Sequence, residues 1–492
     1  MLTTVLGLIF LAGCVIAWRW RNSNNDEPVV INGYFPIIGH AHVLFVADYI
    51  QYWVYFLEST WESMKAGGVA RCFIGPRTVY NISDPDDFMT VANNCLDRDY
   101  FYQFAKPWLG EGLVTSNRVV WTEHRKLLDA ACHQNVLDGF LDVFNRQARR
   151  LVEELQLEVG RGPFDAFTYT RRNALETSCL TIFGVDPKDK CLSYDNYIEG
   201  MEQMFSIIEY RAHRPWLHLD CIYNWSPMKR KEEKCLKTLH QFSSTILKKK
   251  KAEYLENRSD KNNEERLNGQ KLNSFMELFI ELAMENGTFN EQEIREHVDT
   301  LMFSGHDMIA SVLLYTVLLV GSCPNVQNKV FEELDNIFTN DDRDVTKQDL
   351  SQMTYLDAVI KESMRIYPVV PFVTRHIDKN TKLKNCTLSK GASCVLSIYG
   401  ANRHSVWGPY AERFKPERWM DPSSSPEYAF ASFGVGRRTC LGKSYSLMCL
   451  KTTLAHIFRS YRVSGDHNQM LAKLDIMLRP VSGHHVSIEM RK

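Results

Sequence analysis

Residues Glu291 to Ser322 constrain the fold more than any other stretch of this chain. They contain no proline and carry apolar side chains on nearly every side: Val298, Leu301, Met302, Phe303, Ile309, Val312, Leu313 and Leu314. The spacing predicts one helix, roughly 48 Å long at about 1.5 Å per residue. Asn290 is placed to cap its start, and Pro324 lies just past its end. A helix that is apolar all round has to run through a core. Yet Ser304-Gly305-His306-Asp307 interrupts it in the middle. A glycine costs about 1 kcal/mol in a helix interior, and a buried aspartate costs more. Such a local conflict marks a functional or strained place.

The chain has 492 residues, 45% apolar and 24% charged, enough to build a large core around that helix. The formal net charge of −1 gives no bulk attraction to nucleic acid, and no nucleic-acid partner is expected. Thirteen scattered cysteines, without a CxxC pair, fit reduced thiols in the cytosol rather than a disulfide framework or a zinc site. Leu2 to Ala17 is apolar, and Trp18-Arg19-Trp20-Arg21 follows at once. Basic residues after the apolar run, with tryptophans at the interface, read as a stop-transfer anchor rather than a cleaved signal. The expected organisation is an N-terminal membrane anchor over 1–21, a linker over 22–35 and a catalytic domain over 36–492. The positive-inside rule places that domain in the cytosol.

Val69 to Ile74 and Thr78 to Ile82 alternate as two strands around a Gly75-Pro76 turn. Most of the remainder carries helical period, so the expected fold is mainly α with a small β-rich lobe near the amino terminus. Asn257 to Asn273 is polar and charged, and reads as an exposed loop. Glu362 and Arg365 share one face of a helix that Thr354-x-x-Asp357 should open as a capping box.

The stretch Ala431-Ser432-Phe433-Gly434-Val435-Gly436-Arg437-Arg438-Thr439-Cys440-Leu441-Gly442 sets three glycines and one aromatic ring around a single cysteine. Helical period resumes through Leu447, Leu450, Leu454 and Ile457, so a helix starts near Cys440. A helix amino terminus lowers a thiol pKa and favours thiolate. Glycines let backbone N–H groups approach the sulfur. Phe433 can shield it from water, and Arg438 can neutralise a carboxylate beside it.

This stretch resembles the haem-binding signature of the cytochrome P-450 family, Phe-x-x-Gly-x-Arg-x-Cys-x-Gly, at every fixed position. The resemblance extends over nearly the whole chain from Pro36, although the Pro-Gly-Pro hinge usual after the anchor is not matched. It implies the cytochrome P-450 fold and a haem b whose iron is ligated by Cys440, with Phe433 and Gly442 beside it. Trp121-x-x-x-Arg125 resembles the element that bonds a haem propionate. Arg375, after Tyr367-Pro368-Val369-Val370-Pro371, matches a second propionate ligand, and Arg438 a third donor. Glu362, Arg365 and Arg418, the last in Pro416-Glu417-Arg418-Trp419, look like the family's buried charge network supporting the cysteine loop. Ser304-Gly305-His306-Asp307-Met308 matches the oxygen-activation element, in which Gly305 opens a groove for O2 and Asp307 relays protons.

Two departures qualify that match. The usual threonine is Met308, followed by Ile309, so the relaying hydroxyl is missing. The context His297-Val298-Asp299-Thr300-Leu301-Met302-Phe303, with Arg214-Pro215-Trp216-Leu217, resembles the animal clan of fatty-acid omega-hydroxylases and many insect members. Some of that clan carry glutamate where Ser304 stands and esterify the haem. Serine cannot, so a non-covalent haem is expected. The implied activity is insertion of one oxygen atom from O2 into a small apolar substrate: a fatty acid, hormone, odorant or xenobiotic. NADPH-cytochrome reductase, with a cytochrome b-type protein as second donor, would supply electrons at the endoplasmic reticulum membrane. Lys126, Arg437 and Lys443 would offer positive charge for docking. Two other readings stay open: a haem-thiolate isomerase or dehydratase needing no external electrons, and a non-catalytic haem- or lipid-binding relative.

Overall fold

The structure is a computed structural model, described at residues 7, 10, 13, 27–35, 38–45, 49–187, 194–259, 274–339, 341–421 and 426–491. Apart from residues 7, 10 and 13, the predicted anchor over 1–21 therefore lies outside the described residues, as does 22–26 of the linker. So does 260–273, the greater part of the predicted loop.

The principal elements are β1 (Val29–Val30), α1 (Tyr49–Lys65), β2 (Val69–Ile74) and β3 (Arg77–Ile82). Helices α2 (Arg118–Ala131), α3 (Leu141–Leu155), α4 (Ala166–Ser178), α5 (Tyr194–Ala212), α6 (Pro227–Ser259), α7 (Glu291–Ser322) and α8 (Thr354–Ile366) follow. Then come β4 (Phe372–His376), β5 (Ser393–Ser397), α9 (Lys443–Ser460), β6 (Leu471–Leu474) and β7 (Leu478–Ser482). The protein is mainly helical, with a β-rich lobe, as the pattern predicts. That lobe is a five-stranded sheet in the order β1-β2-β3-β5-β4. Strands β2 and β3 pair antiparallel with Val69 opposite Ile82, and β3 runs parallel to β5. The pairing carries a chain excursion of some three hundred residues, so the lobe is not local to the amino terminus: its β4 and β5 come from late in the sequence.

Helix α7 spans the predicted residues, and the reason is visible at both ends. Asn290 Oδ1 accepts from Glu293 N at 3.0 Å, while the Glu293 carboxylate accepts from Asn290 N at 2.9 Å. This reciprocal cap satisfies two of the helix's orphan donors. At the other end Pro324 opens the next helix, where its missing N–H costs nothing. From Ile309 to Gly321 every residue is buried. Among the described residues α7 is the only helix long and apolar enough to cross a membrane, but 83% of its most apolar window is inside the protein. It is a core helix, packed against α4, α8 and α9.

Two local expectations are corrected. The helix before the polar segment continues to Ser259 rather than ending by Asn257. The Thr354–Asp357 capping box does not form, because α8 has no side-chain cap from its own sequence. Glu333 takes that place from a neighbouring helix. Its carboxylate accepts from Tyr355 N at 2.6 Å, Leu356 N at 2.9 Å and Thr354 Oγ1 at 3.2 Å. A full negative charge on free N–H groups outcompetes a neutral hydroxyl. Asp357 is drawn instead to Lys361 and Lys451, each at 2.9 Å.

Candidate active site

Cys440 sits in the turn that leads into α9. Cys440 N donates to Phe433 O at 2.8 Å, closing the turn. Gly434 and Gly436 hold φ of +70° and +69°, where side-chain-bearing residues are strained. A Cβ on Gly436 would also lie 2.7 Å from Asn93 Oδ1. These two positions need glycine. Helix α9 begins at Lys443, after Gly442 as its cap.

The turn is anchored from behind by the predicted charge network. Arg365 donates to both Glu362 oxygens at 2.8 and 2.9 Å, and Arg418 Nε to Glu362 Oε1 at 2.9 Å. Trp419 Nε1 and Lys415 N complete the carboxylate's partners at 2.9 Å each. Arg365 and Glu362 are wholly buried. From there Arg365 Nη1 donates to Asn402 O at 2.8 Å. Asn402 in turn bonds Ala431 N at 3.0 Å and Ser432 Oγ at 2.8 Å, immediately before Phe433. A chain of hydrogen bonds thus runs from the ion cluster to the cysteine turn.

The Cys440 sulfur faces a cavity of about 1400 Å3 and is open to it, although the cysteine lies deep in the protein. Burial pushes the thiol pKa up, while the Gly442 N–H, Arg125 and Lys443 pull it back. The net direction is upward, contrary to the expectation drawn from the helix amino terminus alone. The reason is burial, which outweighs the Gly442 N–H and the two cations, while α9 starts only at Lys443, three residues after the sulfur. Metal coordination deprotonates a thiol outright, whatever its free pKa.

Across the cavity stands the middle of α7, contributing Thr300, Leu301, Ser304, Gly305 and Met308. Trp121, Arg125, Arg375, Phe433, Arg438 and Gly442 line the same cavity as Cys440 and Gly305. They come from α2, β4 and the cysteine turn, so only the fold brings them together. Arg125 Nη1 donates to Thr439 O at 2.7 Å and its Nε to Asp129 at 2.9 Å. Arg438 Nη2 donates to Ser116 O at 2.9 Å, leaving Nε and Nη1 buried without a partner. Arg375 donates only to its neighbour Thr374 O at 3.0 Å, and its Nε has no partner. Arg98, which no motif signals, joins them on the cavity wall with an unpartnered Nε.

Three guanidiniums crowded together with no carboxylate hydrogen-bonded to them among the described residues are electrostatically abnormal, and Asp97 offsets their charge only in part. Burial, with Arg98 and Arg375 beside it, pushes Arg438 down to about 8. Burial and Arg98 push Arg375 down to about 9. Buried charges are ordinarily paired. A planar cofactor carrying two carboxylates, with a thiol-seeking iron at its centre, fits this cavity wall. The arginines would hold the carboxylates, and Cys440 would ligate the iron.

Asp307 stands apart from that group and does not line the cavity. It is buried, bonded to Arg171 Nε at 2.9 Å and Arg479 Nη2 at 2.6 Å, with His306 Nε2 at 3.4 Å. Burial alone would raise its pKa, but His306, Arg479 and Arg171 outweigh this and hold its carboxyl below the usual range. Gly305 lines the cavity, but a Cβ there would point toward Ile182 and Ser178 at ordinary contact distances of 3.6 and 3.7 Å. Met308 presents a thioether where the matched element has a hydroxyl.

Residues 46–486 match the sequence model of the family described as Cytochrome P450. The chain is 31% identical to mouse "Cytochrome P450 4V2" over 502 aligned positions, covering 99% of this chain and 94% of that protein. It is 30% identical to "Cytochrome P450 4c3" of Drosophila melanogaster, covering 86% of this chain and 82% of that one. A cockroach relative, "Cytochrome P450 4c21" of Blattella germanica, is 29% identical across 85% of each chain. The glycine-held cysteine, the unpaired arginines facing it and these likenesses agree: the chain belongs to the cytochrome P450 family and is a haem-dependent monooxygenase resembling its family-4 members.

Proposed function

We propose that this monooxygenase is a membrane-anchored microsomal enzyme. It takes electrons from NADPH-cytochrome reductase and oxidises a small apolar substrate of the fatty-acid, hormone, odorant or xenobiotic class. The observation that carries the reading is Cys440 facing the apolar middle of α7 across one cavity.

When bound, thiolate-ligated haem supplies the activation of O2, a general property of such haems rather than a result of this structure. The chain's own residues position and protect. Arg98, Arg375 and Arg438 neutralise the cofactor's carboxylates. Phe433 lines the cavity beside Cys440 and would shield the ligated sulfur, and the apolar walls would keep water from the reacting carbon. Ser304 cannot esterify the cofactor as a glutamate would, so the haem is held non-covalently. Full release of porphyrin on acid–organic extraction tests this.

Proton delivery is the unusual part. Ser304 and Thr300 are the cavity-lining hydroxyls on α7, four and eight residues before Met308. Ser304 Oγ donates to Thr300 O at 2.9 Å, and Thr300 Oγ1 is buried without a partner. We assign the missing hydroxyl's task to these two. Asp307 joins the relay only when an arginine releases it. Arg171, whose side chain is 26% exposed against 19% for Arg479, is the freer partner.

Lys126, Arg437 and Lys443 are exposed near the cysteine turn, which supports docking of an acidic reductase surface there. A cytochrome b-type protein would use the same charges. The apolar stretch Leu2 to Ala17 supports the anchor and the endoplasmic reticulum location. The deciding experiment is turnover of a lipid and xenobiotic panel with and without NADPH and reductase. Product that requires both supports the reading. Product formed from a peroxide or oxime without them favours the isomerase alternative, which the thioether of Met308 in the cavity makes worth testing.

A further inference from the structure

At the cavity end formed by α1, α5 and the β6–β7 tip, one polar group is out of place. Helix α5 turns Ile208, Glu209 and Ala212 toward the cavity. Glu209 is only 7% exposed, and its Oε1 is buried without a hydrogen-bond partner among the described residues. A carboxyl serving the fold would be bonded to its neighbours, because an unmet buried polar group is costly.

Each nearby charged or titratable group is otherwise engaged. From the β6–β7 hairpin, Arg479 Nη2 bonds Asp307 at 2.6 Å and its Nε lies 3.4 Å from Asp475. Lys473 Nζ lies 4.0 Å from Asp475. The Asp475 carboxylate accepts from Met477 N at 2.9 Å and adds negative charge beside Glu209. From α1 come the phenols of Tyr49 and Tyr52, both held protonated by burial. His213, just past the end of α5, gives a neutral ring, since burial lowers its pKa. Burial, then Asp475, pushes Glu209 up to about 8, with Lys473 and Arg479 pulling weakly the other way. A carboxyl kept protonated in an apolar site can donate a hydrogen bond as well as accept one.

We propose that Glu209 is the polar anchor of the substrate pocket and holds an uncharged oxygen function, a hydroxyl or carbonyl, on an otherwise apolar molecule. The proposal rests on reading the cavity as the substrate pocket of a thiolate haem. It makes Glu209 a specificity-determining residue that selects alcohols, ketones and esters over carboxylates, which takes free fatty acids out of the substrate classes proposed above. An anionic head would meet Asp475 and force Glu209 to stay protonated against a second acid.

The test uses the full-length haem-loaded protein and its Soret shift on titration with 1-dodecanol, 2-dodecanone and dodecanoate. Wild type, E209Q and E209L are compared at about pH 6.5 and about pH 9.5, on either side of the carboxyl's titration. Wild type should bind dodecanol more tightly than dodecanoate at the lower pH. It should lose affinity for 2-dodecanone by on the order of tenfold at the higher pH, the size of one hydrogen bond, because a ketone only accepts and an ionised carboxylate has no proton to donate. E209Q, a neutral isostere, should keep the low-pH affinity and lose the pH dependence. E209L should bind both neutral ligands more weakly than wild type at the lower pH. Equal binding of 2-dodecanone by E209L and wild type at the lower pH would overturn the proposal, as would a pH dependence that persists in E209Q. Should E209L fail to fold, E209Q decides alone. Absence of a thiolate-type Soret band in wild type would instead sink the haem reading, so the two failures are distinguishable.

Discussion

The guanidinium of Arg438 lies over the Trp121 ring, 4.7 Å from its centroid, with two of its nitrogens facing no protein acceptor. The ring holds in place a cation with two nitrogens free for a partner from outside the described residues. With Arg98 and Arg375 beside it, the cavity wall carries positive charge that the carboxylates of a bound haem would neutralise.

Removing one of these cations should therefore loosen haem. Arg438→Leu and Arg375→Leu should each weaken haem retention by roughly tenfold or more, the worth of a charge-assisted hydrogen bond. Haem content per protein after gel filtration measures this. Full retention in both variants would mean that other groups hold the carboxylates.

Glu362 holds two arginines and a tryptophan in the interior. Glu362→Ala should cost about 3–5 kcal/mol, because it strands two buried cations. The denaturant midpoint of the holoprotein should fall, and haem should leave in the same transition, since the network holds the cysteine turn through Asn402.

Acid should destabilise the protein through its buried histidines. Burial, then Arg459 and Arg149, lowers His456 to about 4, and burial lowers His297 to about 3. Both fold as neutral rings. The unfolded chain takes up their protons first, near pH 6.5, so stability rises with pH between the folded and unfolded values. It is fully present above about pH 6.5 and lost as pH falls toward about 4, by about 3 kcal/mol for His456. His456→Gln keeps a donor for Asn145, which His456 contacts at 2.9 Å. In that variant the slope of stability against pH should flatten over this window; an unchanged slope would remove His456 as a contributor.

Met308 occupies the cavity wall where the family element has a hydroxyl. Met308→Thr should increase the fraction of NADPH electrons recovered in product, with less peroxide released. A gain on the order of tenfold is expected, below the 10²–10⁴ range of full acid–base catalysis because Ser304 and Thr300 already serve in part. Unchanged peroxide release would show that position 308 does not limit proton delivery.

How much of this was legible varies by residue for physical reasons. The bounds of α7 were readable because Asn290, Glu293 and Pro324 act within one turn of its ends. The cysteine turn was readable because its strained glycines must be adjacent in sequence. The cap of α8 was not: the charge that captures its N–H groups comes from Glu333, some twenty residues earlier, and only packing delivers it. Arg98 and Glu209 were invisible for the same reason. Neither sits in a motif, and each acquires meaning only when distant elements close around it.

The most direct measurement is the carbon monoxide difference spectrum of the reduced, haem-loaded protein, compared with Cys440→Ser. Wild type should absorb at the position typical of thiolate-ligated haem, and the variant should lose that band while still binding porphyrin between its arginines. A band that survives in Cys440→Ser, or a wild-type spectrum showing nitrogen ligation alone, would contradict the assignment of the iron to this sulfur.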